Sequence, residues 1–116
     1  MEYAAAYRLA DEIRASEEYR TCHSLKESVM ADETQAALIR EYRKLQVRLQ
    51  MAAMSGRQAD AEDMQRFTGI SGLLFSKPEV RDYLLAEMRL QQAMADIYRI
   101  VTDAAGLEMP VPGAEG

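Results

Sequence analysis

Apolar residues recur along this chain at the three- and four-residue spacings of one helix face, and no stretch carries the alternating period of a strand. Tyr3, Ala6, Tyr7, Ala10 and Ile13 form a first set, and Tyr19, Cys22, Leu25 and Val29 a second. Ser16 lies between them. A serine hydroxyl can accept a free N–H of a helix's first turn, and Glu17 and Glu18 would then sit at the positive end of the new dipole, so the pattern predicts a helix junction at Ser16. Asp32, with Gln35 three residues on, predicts a capping box opening a long helix that stops near Ser55 and Gly56. Within it Leu38, Tyr42, Leu45, Leu49 and Ala52 are spaced 4, 3, 4 and 3 apart, a coiled-coil-like seam. Asp60 can cap a fourth helix bearing Met64, Phe67, Ile70 or Ser71, and Leu74, with Gly69 and Gly72 read as a place of close helix approach. Ser76, Pro78 and Glu79 predict the N-cap, first-turn proline and capping partner of a fifth helix running to Ala105, with Gly106 as its stop.

The expected fold class is all-α: an elongated bundle of about five helices, two long ones forming a coiled-coil-like hairpin, as one helical domain over 1–105 followed by a disordered Pro/Gly tail over 106–116. At about 1.5 Å per residue the last helix would reach ~40 Å, against roughly 35 Å for a compact globule of this chain length. One short chain would leave apolar seam uncovered, which predicts a homodimer or higher homo-oligomer. The residues assigned to that oligomer or core seam are Leu38, Tyr42, Leu45, Leu49, Leu90, Met94, Ile97 and Val101.

Composition supports a folded chain: 48% of the 116 residues are apolar and 28% charged. No apolar run approaches the roughly 18 to 20 residues of a membrane span, the N-terminal residues lack a basic region before an apolar one, and Cys22 is the single cysteine. A cytoplasmic, reducing location is expected. The net charge is -5, which argues against nucleic-acid binding by the chain alone. Arg40, Arg43, Lys44 and Arg48 form a basic stripe read as the solvated side of the third helix, tolerant of charge reversal at Arg43. Its functional reading is a docking face for an acidic protein surface, or for RNA held by a larger complex.

Candidate chemistry is sparse. Cys22 and His23 are adjacent, so on a helix they point about 100° apart and do not form a nucleophile with its base. His23 and Glu27 supply two metal ligands at most, where a site needs three or four, and Arg20 stands where a Glu-x-x-His pair would need its carboxylate. Glu17 with Glu18 and Glu62 with Asp63 belong to helix first turns. No catalytic residue, metal or cofactor is assigned, and a non-enzymatic protein is expected.

The order Ala6, Leu9, Ala10, Ile13, Ser16, Glu18, Tyr19, then Asp32 with Ala36, then Lys77-Pro78 with Val80, Tyr83, Leu84, Ala86, Glu87 and finally Asp96-Ile97 resembles the YlbF/YmcA family of helical bacterial proteins. The resemblance covers roughly residues 4–104, and its motifs are caps and packing positions. It implies an oligomeric regulator or adaptor in the control of competence, sporulation and biofilm formation. Its implied partners are family paralogues or an RNase Y-type endonuclease, the alternative role being an RNA-associated subunit of such an mRNA-processing complex. Members with cysteines can hold an iron–sulfur cluster. The tail from Ala104 to Gly116 has no cysteine, so this chain is nearer the cysteine-poor paralogues and no cofactor is expected.

Overall fold

The computed structural model describes residues 1–107; most of the tail expected to be disordered lies outside the described residues. Five α-helices follow one another: α1 Ala4–Ala15, α2 Glu17–Met30, α3 Glu33–Met54, α4 Ala61–Phe75 and α5 Pro78–Ala105. The fold is all-α, with no strand among the described residues.

Local chemistry sets most of these boundaries. The Ser16 hydroxyl donates to the Ile13 carbonyl at 2.6 Å and accepts from the Tyr19 N–H at 3.2 Å, closing α1 and opening α2 with one side chain. Asp32 Oδ1 accepts from the Gln35 N–H at 3.0 Å, and Asp60 Oδ1 accepts from the N–H groups of Glu62 and Asp63 at 2.8 and 3.3 Å. The Gln35 side chain does not close a capping box; its Nε2 donates to the Val29 carbonyl at 2.9 Å, tying the start of α3 to the end of α2. Gly56 and Gly106 adopt left-handed φ of 70° and 68°, and each ends its helix in a Schellman pair. In the first pair Arg57 N–H bonds the Ala52 carbonyl at 2.9 Å and Gly56 N–H that of Ala53 at 3.3 Å.

Two sequence-based expectations shift. Ser76 ends α4 rather than starting α5: its backbone is right-handed helical and its hydroxyl donates to the Leu73 carbonyl at 2.7 Å. The N-cap position of α5 falls on Lys77, whose carbonyl accepts from the Arg81 N–H at 3.0 Å, and Glu79 accepts instead from the Ser28 hydroxyl. Gly69 and Gly72 are not points of close approach, since a Cβ at either would meet nothing within 4 Å.

The chain divides into two compact units, one of residues 25–83 and one of residues 1–24 with the chain from Leu84 onward. In the 25–83 unit α3 and α4 run back over one another as a helical hairpin. Tyr42 stacks on Phe67 with centroids 5.1 Å apart and meets Phe75 edge-on at 6.5 Å. Salt bridges of 2.6 Å from Arg48 to Asp63 and from Arg66 to Glu41 cross the pair. Among the described residues, the large side chains that are fully buried all belong to this unit: Val29, Ile39, Leu45, Leu74, Val80 and Tyr83. The other unit buries smaller groups, Cys22, Ala86, Ala95 and Thr102, together with Leu84, and α1 contributes no buried residue at all.

The glycines divide by conformation. Gly69→Ala and Gly72→Ala fill open space in a helix interior and should each stabilise the fold by about 0.5–1 kcal/mol. Gly56→Ala should lower stability by about 1–2 kcal/mol, because a Cβ is disfavoured in the left-handed region. Thermal or urea unfolding of the three variants checks both signs.

Candidate functional site

Helix α3 has two working faces. At about 100° per residue, Ala36, Ile39 and position 43 fall on one side, while Leu38, Tyr42, Leu45, Leu49 and Ala52 fall about 130° away. The second group lies toward α4, as the Tyr42–Phe67 stack shows. The first group, with Ala36 and Ile39 buried, lies toward the start of α5: Arg43 Nη2 donates to the Tyr83 hydroxyl at 2.8 Å, with the guanidinium carbon 6.0 Å from the Tyr83 ring centroid. A phenol buried to 1% exposure thereby obtains its hydrogen bond.

That geometry corrects the reading of Arg43 as one of four solvated cations. Arg43 is half-buried four residues after buried Ile39, and its charge-bearing group is engaged inside the unit. Arg48 is exposed but bridged to Asp63. Arg40 and Lys44 remain, both exposed and with no ion pair among the described residues. They share their side of α3 with Val47, Met51 and Met54, three apolar residues exposed at 52%, 59% and 79%. The heptad reading of α3 passed over this second apolar stripe, although its own spacing of 4, 3, 4 and 3 from Arg40 to Met54 was available in the sequence.

The seam residues are likewise unequal. Leu45 is buried, Leu38, Tyr42, Leu49, Leu90 and Ile97 are half-buried, and Met94 and Val101 are exposed. On the unit formed by the chain ends, Leu9 and Ile13 of α1 face Leu90, Met94 and Ile97 of α5 across a shallow apolar groove of about 210 Å³. The apolar arc of α1 continues around the helix from Leu9 and Ile13 through Ala6 and Ala10 to Tyr3 and Tyr7, about 160° in all. Tyr3 and Tyr7 are 63% and 72% exposed.

Catalytic geometry is thin. Cys22 is buried and forms no disulfide, while His23 is exposed, with its ring stacked on Tyr19 at 5.4 Å. Among the described residues no group of three or more His, Cys, Asp and Glu is placed to hold a metal ion. A cleft of about 400 Å³ at the α3–α4 turn is walled by Arg48, Arg57, Asp60 and Asp63; Arg48 and Asp63 bridge one another, Asp60 caps α4, and Arg57 donates to the Ser55 hydroxyl. Among the described residues no helix is long and apolar enough to cross a membrane.

A family model described as control of competence regulator ComK, YlbF/YmcA, matches residues 3–104. The chain belongs to the YlbF/YmcA family. It is 27% identical over 108 residues to a UPF0342 protein of Symbiobacterium thermophilum, covering 93% of this chain and 96% of that one. A UPF0342 protein of Desulfitobacterium hafniense is 31% identical over 102 residues, with 88% and 82% covered. The UPF0342 protein YheA of Bacillus subtilis is 26% identical over 99 residues, with 85% of each covered. A solved structure, described as a protein of unknown function (DUF964) from Bacillus stearothermophilus, superposes with a TM-score of 0.70 at 22% identity, over 90% of this chain and 91% of that one. That superposition shows that the two chains share a fold.

Arg43→Glu should cost about 1–3 kcal/mol, since it leaves the buried Tyr83 hydroxyl without its donor and brings a carboxylate beside it. Arg40→Glu, at an exposed and unpaired position, should stay within about 0.5 kcal/mol of the parent. Equal unfolding midpoints for the two variants would show that the Arg43–Tyr83 contact is dispensable.

Proposed function

We propose that this family member is a non-enzymatic regulatory or adaptor protein that works in the cytoplasm by helix-mediated association, and that the chain-end unit pairs with a second copy of itself. The observation that carries the reading is the imbalance of that unit, which buries few large side chains while leaving the α1 arc and the α1–α5 groove open. An apolar patch of this size on a soluble surface marks an association site. Tyr3 and Tyr7 alone keep roughly 200–340 Å² uncovered, given the 150–250 Å² an aromatic side chain can bury. Met94 and Val101, with the half-buried groove residues, add apolar area of the same order. An ordinary protein interface buries ~800 Å² per partner, of which such a patch would supply about half or more. A second copy brings the same open arc, so each partner covers the other's need.

The family's description as a regulator of competence supports a regulatory role over a catalytic one. An RNA-contacting role finds less support on this chain. On the α3 stripe Arg43 and Arg48 are engaged within their unit, which leaves Arg40 and Lys44 to neutralise few phosphates, whereas RNA- and DNA-binding surfaces rely on many such contacts.

Light scattering over a dilution series should give a mass about twice the 13.1 kDa of the chain. Tyr7→Glu combined with Met94→Glu places charge at two exposed positions, so it should leave the helical content in place and return the mass to that of one chain. A monomeric parent at every concentration, or a double variant that associates like the parent, overturns the reading.

A further inference from the structure

The exposed stripe on α3 lies wholly in the 25–83 unit and does not depend on the pairing proposed for the other unit. We propose that Arg40, Lys44, Val47, Met51 and Met54 dock an amphipathic helix of another protein, one that carries carboxylates at the end meeting Arg40 and Lys44 and apolar residues along the rest. Three features of the stripe select this occupant.

Spacing selects the shape. The five residues recur at 4, 3, 4 and 3, the rhythm by which one helix receives another, and they extend over 15 residues, roughly 21 Å, or two heptads of a partner. Charge selects the composition. The chain carries a net charge of -5, yet this stripe is headed by two cations without ion pairs among the described residues, while neighbouring Arg43 is hydrogen-bonded to Tyr83 and Arg48 is bridged to Asp63. Complementary charge orients an incoming helix and fixes its register. Methionine supplies the rest, because an unbranched thioether side chain adapts to the partner's surface.

The same residues argue against other occupants. Two copies of the stripe packed in parallel would set Arg40 against Arg40 and Lys44 against Lys44. Packed antiparallel about Val47, they would set Met54 against Arg40 and Met51 against Lys44, leaving both cations unanswered. RNA would find no aromatic plane here on which to stack a base, since the stripe's apolar residues are Val47, Met51 and Met54.

The test places a photo-crosslinking benzoylphenylalanine at position 51 of the full chain, expressed in its own host cell, and identifies the crosslinked peptide by mass spectrometry. The expected adduct is a segment of another protein with apolar residues at helix spacing and Asp or Glu about one heptad away, at the end facing Arg40 and Lys44. Combining Arg40→Glu with Lys44→Glu should reduce its yield at least tenfold while the thermal melt overlays that of the parent; Lys44→Arg should retain it. An adduct with a second copy of the chain or with RNA overturns the proposal. So does the absence of any adduct, or a yield indifferent to the charge reversal.

Discussion

Burying the phenol of Tyr83 imposes a hydrogen-bond requirement that the guanidinium of Arg43 meets at 2.8 Å, and much of the 25–83 unit is organised around that contact. It holds the middle of α3 against the first turns of α5. The same end of the unit is held by Gln35, whose side chain bonds the end of α2 through the Val29 carbonyl and lies 3.4 Å from the Lys77 ammonium. The Ser28 hydroxyl adds a bond to Glu79. With one side of α3 committed in this way, its Tyr42–Leu49 side is left to receive α4, where the stack on Phe67 and the bridges to Asp63 and Arg66 complete the hairpin. Val29, Ile39, Leu45, Leu74, Val80 and Tyr83 are fully buried as a result.

The unit made from the two chain ends has no such centre. α1 is amphipathic by sequence yet contributes no buried residue, and the groove it forms with α5 stays open. An apolar helix face states a need for cover without saying which molecule provides it. Stability in a chain is distributed unevenly, and segments with few buried apolar contacts open first. The chain-end unit is therefore the part that the proposed association would stabilise most.

Charge follows a similar logic. Four cations that share a stretch of α3 serve different ends once their partners are known: Arg43 satisfies a buried phenol, Arg48 ties the hairpin, and Arg40 and Lys44 are left at the head of an apolar stripe. What a surface residue offers to a partner is set by what its neighbours leave unanswered.

Helix positions and their ends were legible in the sequence because they depend on bonds within a few residues. Ser16, Asp32 and Asp60 each reach a backbone group two or three residues away, and Gly56 and Gly106 stop their helices through a local φ that only glycine adopts freely. Ser76 was misassigned because an ending and a beginning helix compete for it within three residues, and a hydroxyl can serve either. The family resemblance was legible too, since it rests on these caps and packing positions. Periodicity showed which residues of α3 share a face, but a helix with apolar residues on several sides does not say which side meets a neighbour. Only the tertiary structure decided that Ile39 and Arg43 face inward, that Met94 and Val101 stay exposed, and that the Arg40–Met54 stripe is open. Burial is a property of what packs against a residue, and that neighbour is supplied from tens of residues away in the chain, beyond the reach of any local pattern.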